Sequence, residues 1–523
     1  GRQAEDGGRG AAVQKAAGIG HQPQGRSYIG AIKGDSLEYS PYVTATGNID
    51  INNAALNFSV AQPAEGTILA VGTDIGGIYN TVAGTDITIG DGTTISFTNA
   101  AALDEGTYTA EGFVESEAGV VNMNDFAGEN LFYTYNINKI DDSHATLSLN
   151  VKDTRDALAA LTNNENVLDN ARNFRMMLRE AQDVANGALA ATFASDSPAV
   201  VADSLRQMAN ESALGGMYAA RNTMDMFRGQ LNAAGSLGAG LNKMELEHGN
   251  RLWVNGMGNW ATVDGSKGIQ GFDISAGGIV AGYDRLFFND RVRLGAAIGG
   301  VHSKAQTKDV QSKTDGDTFL AGIYSTIDFK PFFLDLNLAY GRTSNDIVSK
   351  INMAGVAGSN SGSFDTDSLM ASVLASYHLT FNDGATVLAP YLGLEYFYAH
   401  QDGYTEHGAL DRHVDSLHDD VVTLPVGVTL KHTFKGETFT VTPEVGIAYA
   451  RDLNEFDPSV RTGYGTATRL SAHGVDVGRD ALRVSAGVTT SVGNDLELFA
   501  RYGLEKRENY TNNQVMVGLQ FKF

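Results

Sequence analysis

The chain has 523 residues, and its 38 lysines and arginines against 61 aspartates and glutamates give a formal net charge of −23. This charge disfavours nucleic-acid binding, because phosphates need a cationic surface. Cysteine is absent, which excludes disulfides and thiolate metal sites, and 61 glycines against 9 prolines are typical of many strands joined by tight turns. A length well above the ~150 residues of an average domain predicts several domains.

The sequence contains no run of about 18 apolar residues, the length that a membrane-spanning helix needs. A role in a membrane would therefore require a β-barrel. The chain starts at Gly1 without the pattern of a signal peptide, so we expect a mature or truncated form. Residues 1–25 are rich in Gly, Gln, Ala and Arg, which predicts a disordered or remnant segment.

Residues 26–152 consist of short β-runs separated by Gly, Asn and Asp, such as 94–97 and 146–151. Most of these runs alternate with a period of two, and turn signals punctuate them. This spacing suits a stacked β-solenoid or a small sandwich, and no repeat period separates the two.

A hydrolase motif lies in the same region. Residues 34–37 spell Gly-Asp-Ser-Leu, and Asp141 and His144 spell Asp-x-x-His, the first and last blocks of the GDSL hydrolases. A nucleophile at Ser36 would need a base and oxyanion donors. The Gly-x-Asn-Asp block that supplies such donors is absent, and no alternating helices lie between the two ends. A chance match is favoured, with a surface esterase as the alternative.

Residues 153–249 lose the two-residue period and predict a helical linker, in which apolar residues recur every three or four positions. We predict a helix near 217–232, shortly before the next domain. Its apolar stripe comprises five residues: Met217, Ala220, Met224, Phe227 and Leu231.

Sustained alternation begins near residue 250 and predicts a twelve-stranded β-barrel over 250–523. Between 332 and 341 the even positions are apolar or aromatic, whereas the odd positions include Asp335 and Asn337. Charged residues confined to one face suit a polar lumen, because a charge facing lipid is costly. The predicted strands are 251–263, 271–287, 290–305, 317–330, 331–347, 364–381, 386–404, 420–434, 438–452, 478–492, 496–509 and 513–523.

Short and long connections alternate along this barrel. Turns such as 288–290, 330–331 and 382–384 predict the periplasmic end, and longer stretches predict the outer loops 306–316, 348–363, 405–419 and 453–477. Six aromatic residues near strand ends predict interfacial girdles: Tyr283, Phe287, Tyr377, Phe381, Tyr391 and Phe434.

Imidazoles and carboxylates cluster in the 405–419 loop, and both are potential metal ligands. The residues are His407, His413, His418, Asp411, Asp415 and Asp419. No tight pair of histidines occurs, so a mobile loop is favoured and neither a metal site nor a cofactor is predicted.

In the last strand, apolar residues alternate strictly with polar or small ones, and the apolar face includes the final residue of the chain. Its apolar residues are Phe523, Phe521, Leu519, Val517 and Val515. The ending 517–523 resembles the closing strand of autotransporter (type V secretion) β-domains, and the order of residues 205–231 resembles their pre-barrel helices. By that resemblance, the terminal aromatic is the signal read by the outer-membrane assembly machinery, and the helix near 217–232 plugs the barrel lumen.

The resemblance also implies partners and a location. These are outer-membrane lipid, the β-barrel assembly machinery and periplasmic chaperones, with a monomeric barrel in the bacterial outer membrane and the 26–152 passenger segment on the cell surface. Some family members cut themselves at an Asn-Asn pair inside the pore, but Asn163 and Asn164 lie far upstream of the predicted helix.

The fold class predicted is mainly β: a twelve-stranded transmembrane barrel with a lumen helix, preceded by a helical linker and a solenoid-like passenger fragment. The predicted function is a non-enzymatic translocator that delivers its own passenger to the cell surface, the full passenger being an adhesin or virulence factor. A porin-like channel is the second alternative, beside the esterase.

Overall fold

The computed structural model describes residues 31–33, 38–40, 43–45, 48–53, 55–80, 84–180, 184–195, 197–237, 249–308, 312–493 and 495–523. The predicted segment 1–25 and the Gly-Asp-Ser-Leu motif at 34–37 lie outside these ranges. The chain divides into two compact units, one of residues 1–163, 167–205 and 353–355 and one of residues 164–166, 206–352 and 356–523. Within the described ranges, no helix has both the length and the apolar character needed to cross a bilayer.

The first unit begins with a β-solenoid. Its strands are β1 (Ala31–Lys33), β2 (Glu38–Ser40), β3 (Val43–Ala45), β4 (Ile49–Ile51), β5 (Ala55–Ser59), β6 (Ile78–Asn80), β7 (Ile87–Ile89), β8 (Thr94–Thr98), β9 (Gly106–Ser116), β10 (Val121–Met123), β11 (Phe126–Glu129), β12 (Tyr133–Lys139) and β13 (His144–Val151). Parallel pairing stacks β3, β6 and β9, then β4, β7 and β10, then β5 and β8. Successive rungs of a solenoid produce this pattern, which excludes the sandwich alternative.

The solenoid has its own core and its own end. Strands β9, β13, β12 and β11 pair antiparallel in that order and finish the stack. Alternate residues of the short strands point inward, so Ile49, Ile87 and Val121 from successive rungs are all buried. Burial of every second residue is the reason the period of two was readable in the sequence.

Helices follow the solenoid. They are α1 (Thr154–Ala159), α2 (Glu165–Asp169), α3 (Ala171–Leu178), α4 (Val184–Phe193), α5 (Pro198–Ala209) and α6 (Gly215–Ala234), with 3-10 turns at Ala100–Ala102 and Glu211–Leu214. Asp153 caps α1, because its side chain accepts a hydrogen bond from the backbone N–H of Asp156.

The second unit is a closed antiparallel barrel. Its strands, with the short ones in the loops, are β14 (Asn250–Val263), β15 (Phe272–Phe287), β16 (Val292–Thr307), β17 (Lys313–Phe329), β18 (Phe332–Met353), β19 (Val356–Tyr377), β20 (Leu379–Phe381), β21 (Thr386–Gln401), β22 (Tyr404–Gly408), β23 (Arg412–Val414), β24 (Leu417–His432), β25 (Phe434–Lys435), β26 (Phe439–Asp452), β27 (Ser459–Gly463), β28 (Arg469–His473), β29 (Asp480–Val492), β30 (Leu496–Lys506) and β31 (Tyr510–Lys522).

The barrel wall has twelve strands, as predicted. Of the labelled segments, β20 continues β19, β25 continues β24, and β22, β23, β27 and β28 lie in the loops. The first and last strands pair from Arg251 with Lys522 to Val263 with Tyr510. The fold class predicted from the sequence is therefore confirmed. Side chains alternate between a buried inner face and an exposed apolar outer face.

Two details differ from the sequence prediction. The stretch 348–363 is a hairpin of long strands rather than a loop, since β18 ends at Met353 and β19 begins at Val356. Tyr391 does not belong to an outer girdle: it shares the inner face of β21 with Glu395, whereas its neighbour Leu392 is 52% exposed. The predicted loops 405–419 and 453–477 carry β22, β23, β27 and β28, which pair into a small sheet of their own.

Candidate functional site: the barrel lumen and its helix

The lumen holds helix α6, which spans the predicted plug residues. All five residues of the predicted apolar stripe are buried, and Met217, Phe227 and Leu231 have no exposed surface. The helix contacts strands β14 to β17, β19 and β21 from within. Helix and wall therefore form one continuous packed core.

Two glycines on the inner wall make room for the apolar face of α6. A Cβ atom at Gly322 would lie 3.0 Å from a ring carbon of Phe227, and one at Gly341 would lie 2.9 Å from the sulfur of Met224. Contacts this short leave no space for a larger side chain. The wall is thus shaped to the helix on this side.

The side of α6 next to the apolar stripe is charged, which the sequence interpretation missed. Eight side chains of alternating charge form one chain of ion pairs in the lumen, in the order Arg221, Asp452, Arg507, Glu505, Arg483, Glu395, Arg228 and Asp225. In six of these seven pairs the N···O distance lies between 2.7 Å, as in Arg507–Asp452, and 3.2 Å, as in Arg228–Asp225. The seventh pair is Arg228 with Glu395, which are in direct contact. We call this set the lumen ion-pair chain.

The charges of the lumen ion-pair chain sum to zero only when the helix is in place. The helix supplies Arg221, Arg228 and Asp225, a net charge of 2 − 1 = +1. The wall supplies Arg483 and Arg507 with three carboxylates, a net charge of 2 − 3 = −1. Removing the helix would leave the wall with one excess negative charge, although each of its three carboxylates keeps an arginine partner on the wall.

Hydrogen bonds fasten both ends of α6. At its amino end the Tyr218 hydroxyl donates to the backbone oxygen of Val475, at 2.9 Å, and its ring lies 5.3 Å from that of Phe272. Just past its carboxyl end, the Ser236 backbone N–H donates to Asp335, at 2.9 Å. Arg251 reaches the backbone oxygen of Ala234 as well.

A buried carboxylate secures the chain before α6. Glu211 accepts hydrogen bonds from the side-chain amides of Asn164 and Asn166, at 2.8 and 3.0 Å, and from the backbone N–H of Gln270. Burial raises the pKa of Glu211. Asn164, one member of the Asn-Asn pair considered for self-cleavage, also donates to the backbone oxygen of Gly268 and so has a structural partner at the barrel loops.

A cavity of about 190 Å³ remains beside the helix. Arg228, Tyr391, Glu395, Glu444 and Arg501 are among the residues that line it. Such a charged pocket suits water or a small ion rather than an apolar ligand.

The predicted closing strand faces outward with its apolar residues. Val517, Leu519, Phe521 and Phe523 are 45–59% exposed, and Val515 is half-buried. The alternate residues Met516, Gln520 and Lys522 are buried in the lumen. The backbone N–H of Phe523 donates to the oxygen of Asn250, at 3.2 Å, so the terminal residue sits at the seam of the barrel.

The remaining candidates do not assemble a catalytic or metal centre among the described residues. His144 opens β13, with its Nδ1 3.0 Å from Asp141 and its Nε2 3.5 Å from Glu115. Its hydrogen bond to Asp141 raises the pKa of His144, while a backbone N–H from Ser143 is the main cause that lowers the pKa of Asp141 to about 2. The pair therefore stabilises a β-turn.

The histidines of the 405–419 loop each have a separate neighbour. His407 lies 3.3 Å from Asp411, His413 lies 3.7 Å from Asp415, and His418 packs near the Tyr398 ring. Across the parts of the chain that the structure describes, no group of three His, Asp or Glu side chains is placed to hold a metal ion.

Comparisons with known proteins agree on the barrel. Residues 252–503 match the family described as the autotransporter β-domain, and the barrel of this chain belongs to that family. An extracellular serine protease of Serratia marcescens is 21% identical over 276 residues, which are 52% of this chain and 26% of that protein. The probable outer membrane protein PmpD of Chlamydia trachomatis is 24% identical over 217 residues, which are 40% of this chain and 14% of that protein.

Among solved structures, the translocator domain of autotransporter NalP from Neisseria meningitidis is similar at 19% identity and a TM-score of 0.46, covering 58% of this chain and 97% of that one. The chain spans about a quarter or less of the length of the curated relatives named above.

Proposed function

We propose that this autotransporter β-domain is an outer-membrane translocator, which delivers the segment upstream of α6 to the cell surface and anchors it there. The β-domain itself is a translocation module rather than a catalyst. We propose in addition that the chain described here uses no cofactor and has no enzymatic activity of its own.

The observation that carries this proposal is the direction of α6 in the lumen. Gly215, at its amino end, lies beside Phe272 and Ala305, where the long loops join the barrel. Gly235, just past its carboxyl end, lies beside Asp335, near the short turn at Lys330. Long loops of outer-membrane barrels face the exterior. The chain before the helix therefore leaves the barrel on the outside.

The outer face of the barrel supports a lipid environment. Ile279, Ile298, Phe319 and Leu392 are 52–63% exposed, although each is a large apolar residue in the middle of a strand. Water would disfavour such a band, whereas hydrocarbon accommodates it. We propose lipid, the β-barrel assembly machinery and periplasmic chaperones as partners, and a monomeric barrel without nucleic-acid binding.

Surface labelling of intact cells tests the proposed orientation. One variant of the full chain, exported behind a secretion signal, carries an epitope after Glu65 in the exposed stretch 64–67 of the solenoid; the matched control carries it at Asp383 in a short barrel turn. We expect antibody to label the first on intact cells and the second only after the outer membrane is permeabilised. Labelling that requires permeabilisation in both would refute the proposal.

Conductance separates the translocator from the porin alternative. We expect the full chain in planar bilayers to conduct weakly and the variant lacking residues 217–232 to conduct strongly, because α6 fills the lumen. A large conductance that does not change on deleting the helix would favour the porin.

A further inference from the structure

The third face of the solenoid ends one strand early. In the part of the solenoid that the structure describes, two faces stack three parallel strands, whereas the third stacks β5 and β8 alone. In place of a third strand, two tyrosines lie against the far edge of β8. The backbone N–H of Phe97 donates to the Tyr133 hydroxyl, at 3.2 Å, and the Ile95 backbone is hydrogen-bonded to Tyr135.

A large groove opens along this edge. Its volume is about 1020 Å³, at the upper end of the ~300–1,000 Å³ typical of ligand sites. Strands β5 and β8 and the segment 124–130 form two of its walls, and Leu178 and Phe193 contribute from helices α3 and α4. We call this space the β8 groove. All of its lining residues belong to the first unit.

The lining of the β8 groove is rich in hydroxyl, amide and carboxylate groups. Asn57, Ser96 and Thr98 form a ladder, in which both hydroxyls donate to the Asn57 amide oxygen, at 3.3 and 2.9 Å. Across the groove the Asn124 amide donates to Asp91, at 2.6 Å. These bonds hold the polar groups in place, while each hydroxyl oxygen keeps acceptor lone pairs.

The charged and polar groups of the lining restrict the class of ligand that the β8 groove could bind. The lining residues include three acids, Asp91, Asp125 and Glu129, and no lysine, arginine or histidine. Lys152, outside the lining, pairs with Glu129 at 3.7 Å, but Asp91 and Asp125 would still repel an anion. A purely apolar ligand would strip water from the polar ladder without replacing its hydrogen bonds.

An extended peptide also fits poorly. A peptide that adds a strand needs the backbone groups of the sheet edge. In β8 the edge groups of Ile95 and Phe97 are already bonded to tyrosine hydroxyls. A ligand that offers many neutral hydroxyls together with apolar C–H faces satisfies the polar ladder and can pack against the half-buried ring of Phe126. Tyr133 and Tyr135 are buried and shape the floor of the groove.

We propose that the β8 groove is a binding site for a neutral oligosaccharide. Carboxylates and amides accept hydrogen bonds from sugar hydroxyls, and the ring of Phe126 contacts a sugar C–H face. This site lies in the solenoid and does not depend on translocation by the barrel, so the two proposals fail independently.

Fluorescence anisotropy with labelled neutral hexasaccharides tests the site. The probes are maltohexaose, cellohexaose and a β-linked galactose hexamer, with a polygalacturonate hexamer as the acidic comparator. The full chain is held in a polyoxyethylene detergent, since maltoside detergents would compete. We expect saturable binding of at least one neutral probe and none of the acidic one.

Variants tie binding to the groove. Asn57→Ala should weaken binding at least tenfold, because it removes the acceptor shared by Ser96 and Thr98. Asp50→Ala, at an exposed position of β4 outside the groove, should leave binding unchanged. If Asn57→Ala lowers the urea midpoint of the solenoid, Ser96→Ala serves in its place.

Four outcomes would overturn the proposal. Three are the absence of binding of every neutral probe at millimolar concentration, equal binding of the acidic probe, and wild-type affinity in folded Asn57→Ala or Ser96→Ala. Competition by an unrelated extended peptide would likewise reassign the groove to strand addition.

Discussion

Arg228→Leu should loosen the helix in the lumen. The Arg228 side chain is 10% exposed and pairs with Glu395 and Asp225. Removing one partner of a buried ion pair typically costs ~3–5 kcal/mol, because the other charge stays buried and unpaired. Glu395 retains Arg483, at 3.0 Å, so the lower end of that range applies. A cost of about 3 kcal/mol raises the undocked population roughly a hundredfold.

The absence of cysteine provides a direct assay. A cysteine in place of Ala220, which is 4% exposed, reacts with a thiol reagent only when the helix leaves the wall. The reaction rate then follows the undocked population. We expect Arg228→Leu to raise this rate about a hundredfold over the Ala220→Cys parent.

A double substitution provides the internal check. Adding Glu395→Leu to Arg228→Leu balances the charges of the lumen ion-pair chain again, so the labelling rate should fall by at least tenfold. Arg342→Leu, which breaks an exposed ion pair with Asp365, should leave the rate at the parent value. A rate within twofold of the parent in Arg228→Leu would refute the idea that the ion pairs hold the helix.

Other expectations follow from the same geometry. Gly322→Leu should raise single-channel conductance severalfold, because its Cβ would lie 3.0 Å from a helix phenylalanine; Gly300→Leu, where a Cβ meets nothing within 4 Å, should not. Phe523→Ala should lower the heat-modifiable, folded fraction in the outer membrane severalfold if the terminal residue is the assembly signal. In the solenoid, the raised pKa of His144 means that its stabilisation is complete below pH 6.5 and is lost as the pH rises through that pKa. The lowered pKa of Asp141 means that its contribution is complete above pH 3.8 and is lost as the pH falls towards about 2. Hydrogen-exchange protection of the 141–144 turn should therefore be greatest between pH 3.8 and 6.5, and His144→Gln should abolish the upper limit.

The number of barrel strands was predictable because the environment of each wall residue follows from its position within its own strand. A strand with lipid on one side and a lumen on the other must alternate, and each residue's side follows from its neighbour's. The same alternation could have corrected the prediction for Tyr391. Residues an even number of positions apart in a strand share a face, and Tyr391 lies four positions before Glu395. The 348–363 hairpin was missed because its outward positions are polar beyond the membrane, where alternation loses contrast.

The sequence by itself determined most of the residues that face lipid, where the barrel closes and which helix precedes it, because these depend on periodicity over a few residues. The tertiary structure alone decided the lumen ion-pair chain, in which Arg221 and Arg507 share Asp452, and the β8 groove. Apart from Arg228–Asp225 and Arg507–Glu505, the partners in these sites are tens to hundreds of positions apart. A charge or a hydroxyl in a sequence does not specify its partner, because pairing depends on the register of the closed barrel and on the stacking of the solenoid rungs.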